Sequence, residues 1–136
     1  MSQIEHIGIA VKNAKVSTAL FARLLNTTPM KEEIVESEGV KTVFFQQGAT
    51  KIELLEALSE NSPIAKFIEK RGEGMHHIAF LVSDIKAEMN RLKKAGFELL
   101  NEIPKKGADN KLVCFIHPKS SSGVLIEICQ DITLEQ

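Results

Sequence analysis

The sequence predicts an α+β fold made of two βαβββ modules. A short phrase occurs twice, Glu5-His6-Ile7-Gly8-Ile9-Ala10-Val11 near the start and His76-His77-Ile78-Ala79-Phe80-Leu81-Val82 past the middle, so a histidine heads an apolar run in each half, 71 residues apart. Each phrase precedes a stretch of helical apolar spacing, and each such stretch precedes further strand-like runs. At 136 residues the chain has the size of one domain, so the modules, about 1–70 and 71–136, are expected to share a core.

In order along the chain, residues 3–11 alternate as a strand does, and Val16, Leu20, Phe21, Leu24 and Leu25 recur at helical spacing between Asn13 and Leu25. Asn26-Thr27-Thr28 breaks that helix. A strand over 30–36 leads to a turn at Glu38-Gly39, and the runs Val40–Gln46 and Lys51–Ala57 form a hairpin around 47–50. After a polar connector at 59–62, Pro63 opens a short helix carrying Ile64, Phe67 and Ile68. Gly72 and Gly74 punctuate the join. The pattern then repeats: a strand at 76–82, a helix over Ile85–Ala95 with Ser83 or Asp84 as its cap and Gly96 after it, and a strand at 97–101. A strand at 112–117, a turn through 118–123 and a strand at 124–130 complete the second module.

Composition narrows the function. With 17 basic and 18 acidic residues interspersed and a net charge of −1, nothing marks a nucleic-acid or anionic-membrane partner, and a small molecule is the expected ligand. No apolar run approaches a membrane span, and no charged and apolar leader precedes the first strand. Cys114 and Cys129 lie inside apolar runs without Cys-x-x-Cys spacing, so we expect reduced thiols and a cytoplasmic location. There is no glycine-rich nucleotide loop and no nucleophile elbow.

Strand parity turns the repeat into a site, because residues two apart share a face. Ile7, Ile9 and Val11 are expected to pack under the helix while His6, Gly8 and Ala10 face the other way, leaving room beside the imidazole. In the second copy Ile78, Phe80 and Val82 oppose His77, Ala79 and Leu81, so His77, not His76, corresponds to His6. On the last strand of each module a carboxylate points away from its apolar neighbours: Glu53 opposes Ile52 and Leu54, and Glu127 opposes Val124, Ile126 and Ile128. The glutamates are 74 residues apart, close to the histidine spacing.

Two imidazoles and two carboxylates suit a divalent transition metal such as zinc, cobalt, nickel, manganese or iron(II), with positions open for a substrate that binds through two oxygens. A glutamate inside an apolar strand is costly unless paired or metal-bound, which singles out Glu127. The competing reading is that each is an ordinary hydrogen-bonded or solvated residue. Other candidates are weaker. His76 reads as a rim residue, His117 as a loop-positioning one, and Cys129, on the Glu127 face, as small core. Lys105, Lys106, Lys111 and Lys119 either meet substrate phosphates or form ordinary solvated surface.

The phrases already quoted, with Thr50-Lys51-Ile52-Glu53-Leu54-Leu55, Ser62-Pro63-Ile64-Ala65, Gly74-Met75-His76-His77-Ile78, and His117-Pro118-Lys119 followed by Gly123-Val124-Leu125-Ile126-Glu127, resemble the methylmalonyl-CoA epimerase family of the vicinal oxygen chelate superfamily. The resemblance implies that the modules form a cupped mixed sheet around a metal site whose ligands are His6, His77, Glu127 and Glu53. It implies a divalent metal, cobalt being favoured, and epimerisation of (2R)- and (2S)-methylmalonyl-CoA through a metal-stabilised enolate. It also implies an acyl-CoA substrate, a homodimer and a place in propionate metabolism. Glu127 is the candidate for one catalytic acid–base group, and Glu53 or a metal-bound or ordered water for the other. The chain departs from some members at Thr42, where they carry a glutamate, and threonine is no general base unaided. Alternatives on the same fold are a glyoxalase I-like lyase, a dioxygenase using His6, His77 and Glu127, and a metal-free small-molecule-binding resistance protein.

Overall fold

The computed structural model describes residues 1–133, and the chain divides into two compact units. One runs from His6 to His76; the other combines Met1–Glu5 with the chain from His77 onward. In order, the elements are β1 (Gln3–Ala10), α1 (Ala14–Leu25), β2 (Lys31–Val35), β3 (Val40–Gln47), β4 (Thr50–Ala57), α2 (Pro63–Arg71), β5 (Gly74–Leu81), α3 (Ile85–Lys94), β6 (Lys105–Lys106), β7 (Lys111–Ile116) and β8 (Ile126–Asp131). The two predicted βαβββ patterns are therefore present. No helix among the described residues is long and apolar enough to cross a membrane.

Local chemistry sets the helix ends. Asn13 Oδ1 accepts from the Val16 N–H at 3.1 Å, and Asn26 closes α1 in the left-handed region at φ 53°. Pro63 sits in the first turn of α2, where its missing N–H costs nothing, and Ser62 Oγ accepts from Ile64 N–H. Of the two predicted caps for α3, Asp84 does the work, its Oδ1 accepting from Ala87 N–H at 3.1 Å.

In the first unit the strands lie in the order β2-β3-β4-β1, β1 pairing parallel with β4 and the others antiparallel. Val11, Val43, Phe45 and Leu54 pack with Ile9 against Phe21 and Leu25 of α1, as parity predicts. Burying each such side chain contributes about 1.5–3 kcal/mol. The opposite face is only partly open. Ala10, Val40 and Leu55 are covered by Ile64, Phe67 and Ile68 of α2, so the room expected beside His6 is at Gly8 and not at Ala10.

In the second unit the order is β5-β8-β7-β6, with β5 and β8 parallel. Val82, Ile85, Met89, Leu92, Cys114, Ile116 and Ile128 form its core under α3. Two expectations fail here. Residues 97–101 form no strand; Leu99 makes an isolated bridge to Ile116, and the edge strand is the two-residue β6. The reason is Asn101, whose side chain replaces ladder partners. Its Oδ1 accepts from Phe115 N–H at 3.1 Å and its Nδ2 donates to Val113 O at 3.2 Å and to Ile103 O at 2.7 Å. The last strand begins at Ile126, because Val124 N–H closes a turn onto Ser121 O, leaving Val124 40 % exposed.

Candidate metal centre

Each unit holds one buried histidine–glutamate pair, and both are built by the same rule. In the first, the parallel register sets Gly8 opposite Glu53 and His6 opposite Lys51. With no side chain at Gly8, nothing stands between the carboxylate and the imidazole two residues earlier, and His6 Nε2 lies 3.4 Å from Glu53 Oε1. In the second, Ala79 is opposite Glu127, its methyl is equally unobtrusive, and His77 Nε2 lies 3.3 Å from Glu127 Oε1. All four residues are 4–6 % exposed.

The surroundings repeat as well. Phe44 is cross-strand from Glu53 and Phe115 from Glu127. Lys31 Nζ lies 5.5 Å from the Phe44 ring centre, and Lys105 Nζ lies 5.7 Å from that of Phe115. The His77 ring also meets Phe115 edge to face at 5.9 Å. Composition alone does not mark these phenylalanines. Their signal is the same 71-residue spacing that relates the histidines.

The donor sets fit a divalent cation. A charge-assisted N–H···O contact settles near ~2.8 Å. Two donor atoms 3.3–3.4 Å apart instead match neighbouring ligands of one ion at ligand distances of about 2.1 Å. A buried carboxylate is costly unless it is hydrogen-bonded, paired or metal-bound, and a cation is one way to meet that cost.

The remaining candidates separate on burial and partners. His76 is half-buried, its ring set edge to face on Phe67 at 4.9 Å. His117 positions the loop, its Nδ1 accepting from Lys119 N–H at 3.1 Å. The hydrogen bond from Lys119, at 2.9 Å, holds the Glu98 carboxyl below its usual range. Cys129 is fully buried among Ala79, Leu81, Val113 and Phe115; burial, and then the Glu127 charge, push its thiol far up. It is small core. Lys105, Lys106 and Lys119 are exposed, but Lys111 fits neither of its expected roles. It is 5 % exposed, with Nζ 2.7 Å from Asp131, 3.4 Å from Asp109 and 4.0 Å from Glu5. Burial alone would lower its pKa, yet the Asp131 hydrogen bond and the three carboxylates together raise it.

Known proteins resemble this chain over most of its length. The family described as the Glyoxalase/Bleomycin resistance protein/Dioxygenase superfamily matches residues 5–115. The ethylmalonyl-CoA/methylmalonyl-CoA epimerase of Cereibacter sphaeroides is 39 % identical over 96 % of this chain and 98 % of its own. The chain belongs to the methylmalonyl-CoA epimerase family of that superfamily. Among solved structures, a hypothetical protein from Bacillus halodurans C-125 aligns with a TM-score of 0.94 at 43 % identity, covering 98 % of this chain and 97 % of that one. A Streptomyces coelicolor methylmalonyl-CoA epimerase variant in complex with 2-nitronate-propionyl-CoA gives 0.94 at 29 % identity, covering 98 % and 96 %. Family membership and the βαβββ pattern agree, and the two buried His–Glu pairs are this chain's candidate donors for a divalent metal.

Proposed function

We propose that the chain interconverts the 2R and 2S forms of methylmalonyl-CoA, with one divalent metal held by His6, Glu53, His77 and Glu127. The observation that carries this reading is the duplicated, buried pairing of His6 with Glu53 and of His77 with Glu127 at 3.4 and 3.3 Å. When bound, the cation supplies Lewis-acid stabilisation of the negative charge that develops on the thioester oxygen. Everything else falls to the chain. The imidazoles, through Nε2, and the carboxylates hold the ion. Glu127 takes the proton from C2 on one face, and Glu53 stands as its counterpart on the other. The electron pair left at C2 spreads onto the thioester as an enolate, and return of a proton to the opposite face inverts the centre. Phe44 and Phe115, cross-strand from the glutamates, keep water from the carbanion. A nitronate is a planar, delocalised anion of the same shape as that enolate, so the Streptomyces complex supports the reading.

We take cobalt as the metal, with zinc, nickel and manganese as substitutes for the same nitrogen and oxygen donors. The proposal also places the chain, as one domain, in the cytoplasm and in propionate metabolism. A homodimer belongs to it too, for which Val16, Leu20 and Leu24 offer an exposed apolar stripe on one face of α1. The test is incubation of each epimer with metal-loaded protein in deuterated water, followed by NMR. Deuterium enters C2 and the epimers interconvert; absence of exchange above background with all four metals sinks the epimerase reading and favours a lyase or a binding protein.

A further inference from the structure

The edge strand β6 is two residues long, and the chain pins it on both sides. Asn101 Nδ2 donates to Ile103 O at 2.7 Å ahead of it, and the Gly107 N–H donates to Lys111 O at 2.9 Å behind it. Gly107 lies so near β7 that a Cβ there would stand 3.1 Å from Val113 Cγ1. Register then separates the two lysines of β6. Lys105 is opposite Val113 and Lys106 opposite Leu112, and neighbours on a strand face opposite ways. Leu112 packs with the core under α3, whereas Val113 and Phe115 pack with Ala79 and Cys129, on the face that carries His77 and Glu127. We propose that Lys105 is a specificity-determining residue that binds the free carboxylate of the substrate. This rests on the epimerase reading above and names the group that recognises the malonyl half of the thioester.

Lys105 is exposed, and its ammonium leans toward the row of Glu127. Nζ lies 5.7 Å from the centre of the Phe115 ring, and that ring is cross-strand from Glu127 and meets the His77 ring edge to face at 5.9 Å. Ammonium, phenyl ring and His–Glu pair thus form one series on one face of one unit. The first unit shows what an ammonium takes in such a setting: Lys31 Nζ, over the Phe44 ring at 5.5 Å, has Glu33 Oε1 at 3.7 Å. The second unit departs from the repeat at that carboxylate. Glu33 is opposite Thr42, and the place opposite Val113, 71 residues further on, is held by Lys105 itself. The repeat places a carboxylate there in one half and a cation in the other, and the cation takes its carboxylate from the substrate.

A methylmalonyl thioester carries its carboxylate on C2, the carbon that Glu127 deprotonates. Its phosphates lie beyond the whole pantetheine arm, so the carboxylate is the anion that arrives beside the His77–Glu127 pair. There it repels the negative charge that builds on the thioester as the C2 proton leaves. An ammonium beside it offsets that repulsion, and the apolar Phe115 ring strengthens the attraction by keeping water away. The lysine stem is long enough to keep its methylenes on the ring while the charged head turns to the carboxylate.

The experiment measures, by isothermal titration calorimetry on metal-loaded protein, the affinity of wild type, Lys105→Met, Lys105→Arg and Lys106→Met for two thioesters. One is methylmalonyl-CoA; the other is propionyl-CoA, which has the same coenzyme and no carboxylate. A charged hydrogen bond of this kind is worth about 10- to 100-fold in affinity, so Lys105→Met weakens methylmalonyl-CoA by that factor and leaves propionyl-CoA unchanged. Lys105→Arg keeps most of the preference, and Lys106→Met, altered on the other face, keeps all of it. Bound metal and melting temperature, measured on the same samples, stay at wild-type values. Equal weakening of both thioesters overturns the assignment, because it puts the ammonium on a phosphate of the coenzyme. No weakening of either overturns it as well. A wild type that binds neither thioester is a different result, and it removes the epimerase reading together with this one.

Discussion

His76 and His77 differ by one position, and that position separates a proposed ligand from a bystander. Alternation along β5 leaves His77 4 % exposed against Glu127 and His76 half-buried on Phe67. His77→Ala is therefore expected to lower metal affinity by more than the roughly 10–100-fold that follows from altering an outer-shell partner. His76→Ala keeps near-stoichiometric metal. Metal content after dialysis, read by mass spectrometry, checks this, and equal losses would show the parity assignment to be wrong. Lys111 makes a second prediction, about pH. Its folded-state pKa is raised, so the stability it contributes is fully present below the unfolded value near ~10.4 and is lost as pH rises through the folded one. The chain has no tyrosine to blur that range. Cys114 and Cys129, also raised, add a fall beginning nearer ~8.5, so the lysine is isolated by difference. Lys111→Met is expected to cost about 2 kcal/mol at neutral pH, by removing the charged hydrogen bond to Asp131 and the ion pairs to Asp109 and Glu5. In urea titrations the gap from wild type should close above pH 10; a gap constant to pH 11 would contradict the ion-pair account.

Elements were legible where one local rule governed them. The helices could be read because apolar spacing, Asn13, Asp84 and Pro63 all point the same way, and the four ligand candidates because alternation along a strand is strict. The stretch 97–101 was misread because alternation there says strand, while one side chain, Asn101, satisfies three backbone groups that a strand would have paired. Nothing in Phe97-Glu98-Leu99-Leu100 signals that competition. The Asn101 account is testable: Asn101→Ala leaves Phe115 N–H and Val113 C=O short of a partner and should cost about 1–3 kcal/mol. Urea unfolding checks it, and a loss below ~0.5 kcal/mol, the range of an ordinary surface substitution, would mean that water replaces the amide without penalty.

On the scale of the whole molecule, the repeat distributes the proposed donors evenly, His6 and Glu53 to one unit and His77 and Glu127 to the other. An ion held by both pairs binds tightly only when both units are folded, so its binding free energy adds to the stability of the entire chain. At free metal 100-fold above the dissociation constant, that linkage is worth about 2.7 kcal/mol. For a chain of this length it corresponds to a melting temperature roughly 10 °C higher. Chelation should therefore lower the transition by that order, and adding cobalt should restore it. The variants locate the effect. His6→Ala and His77→Ala, altering different units, should each abolish most of the metal-dependent shift, because either leaves an incomplete donor set. If His6→Ala kept the full shift while His77→Ala lost it, the metal would belong to the second unit alone, and the first histidine of the repeat would need another explanation.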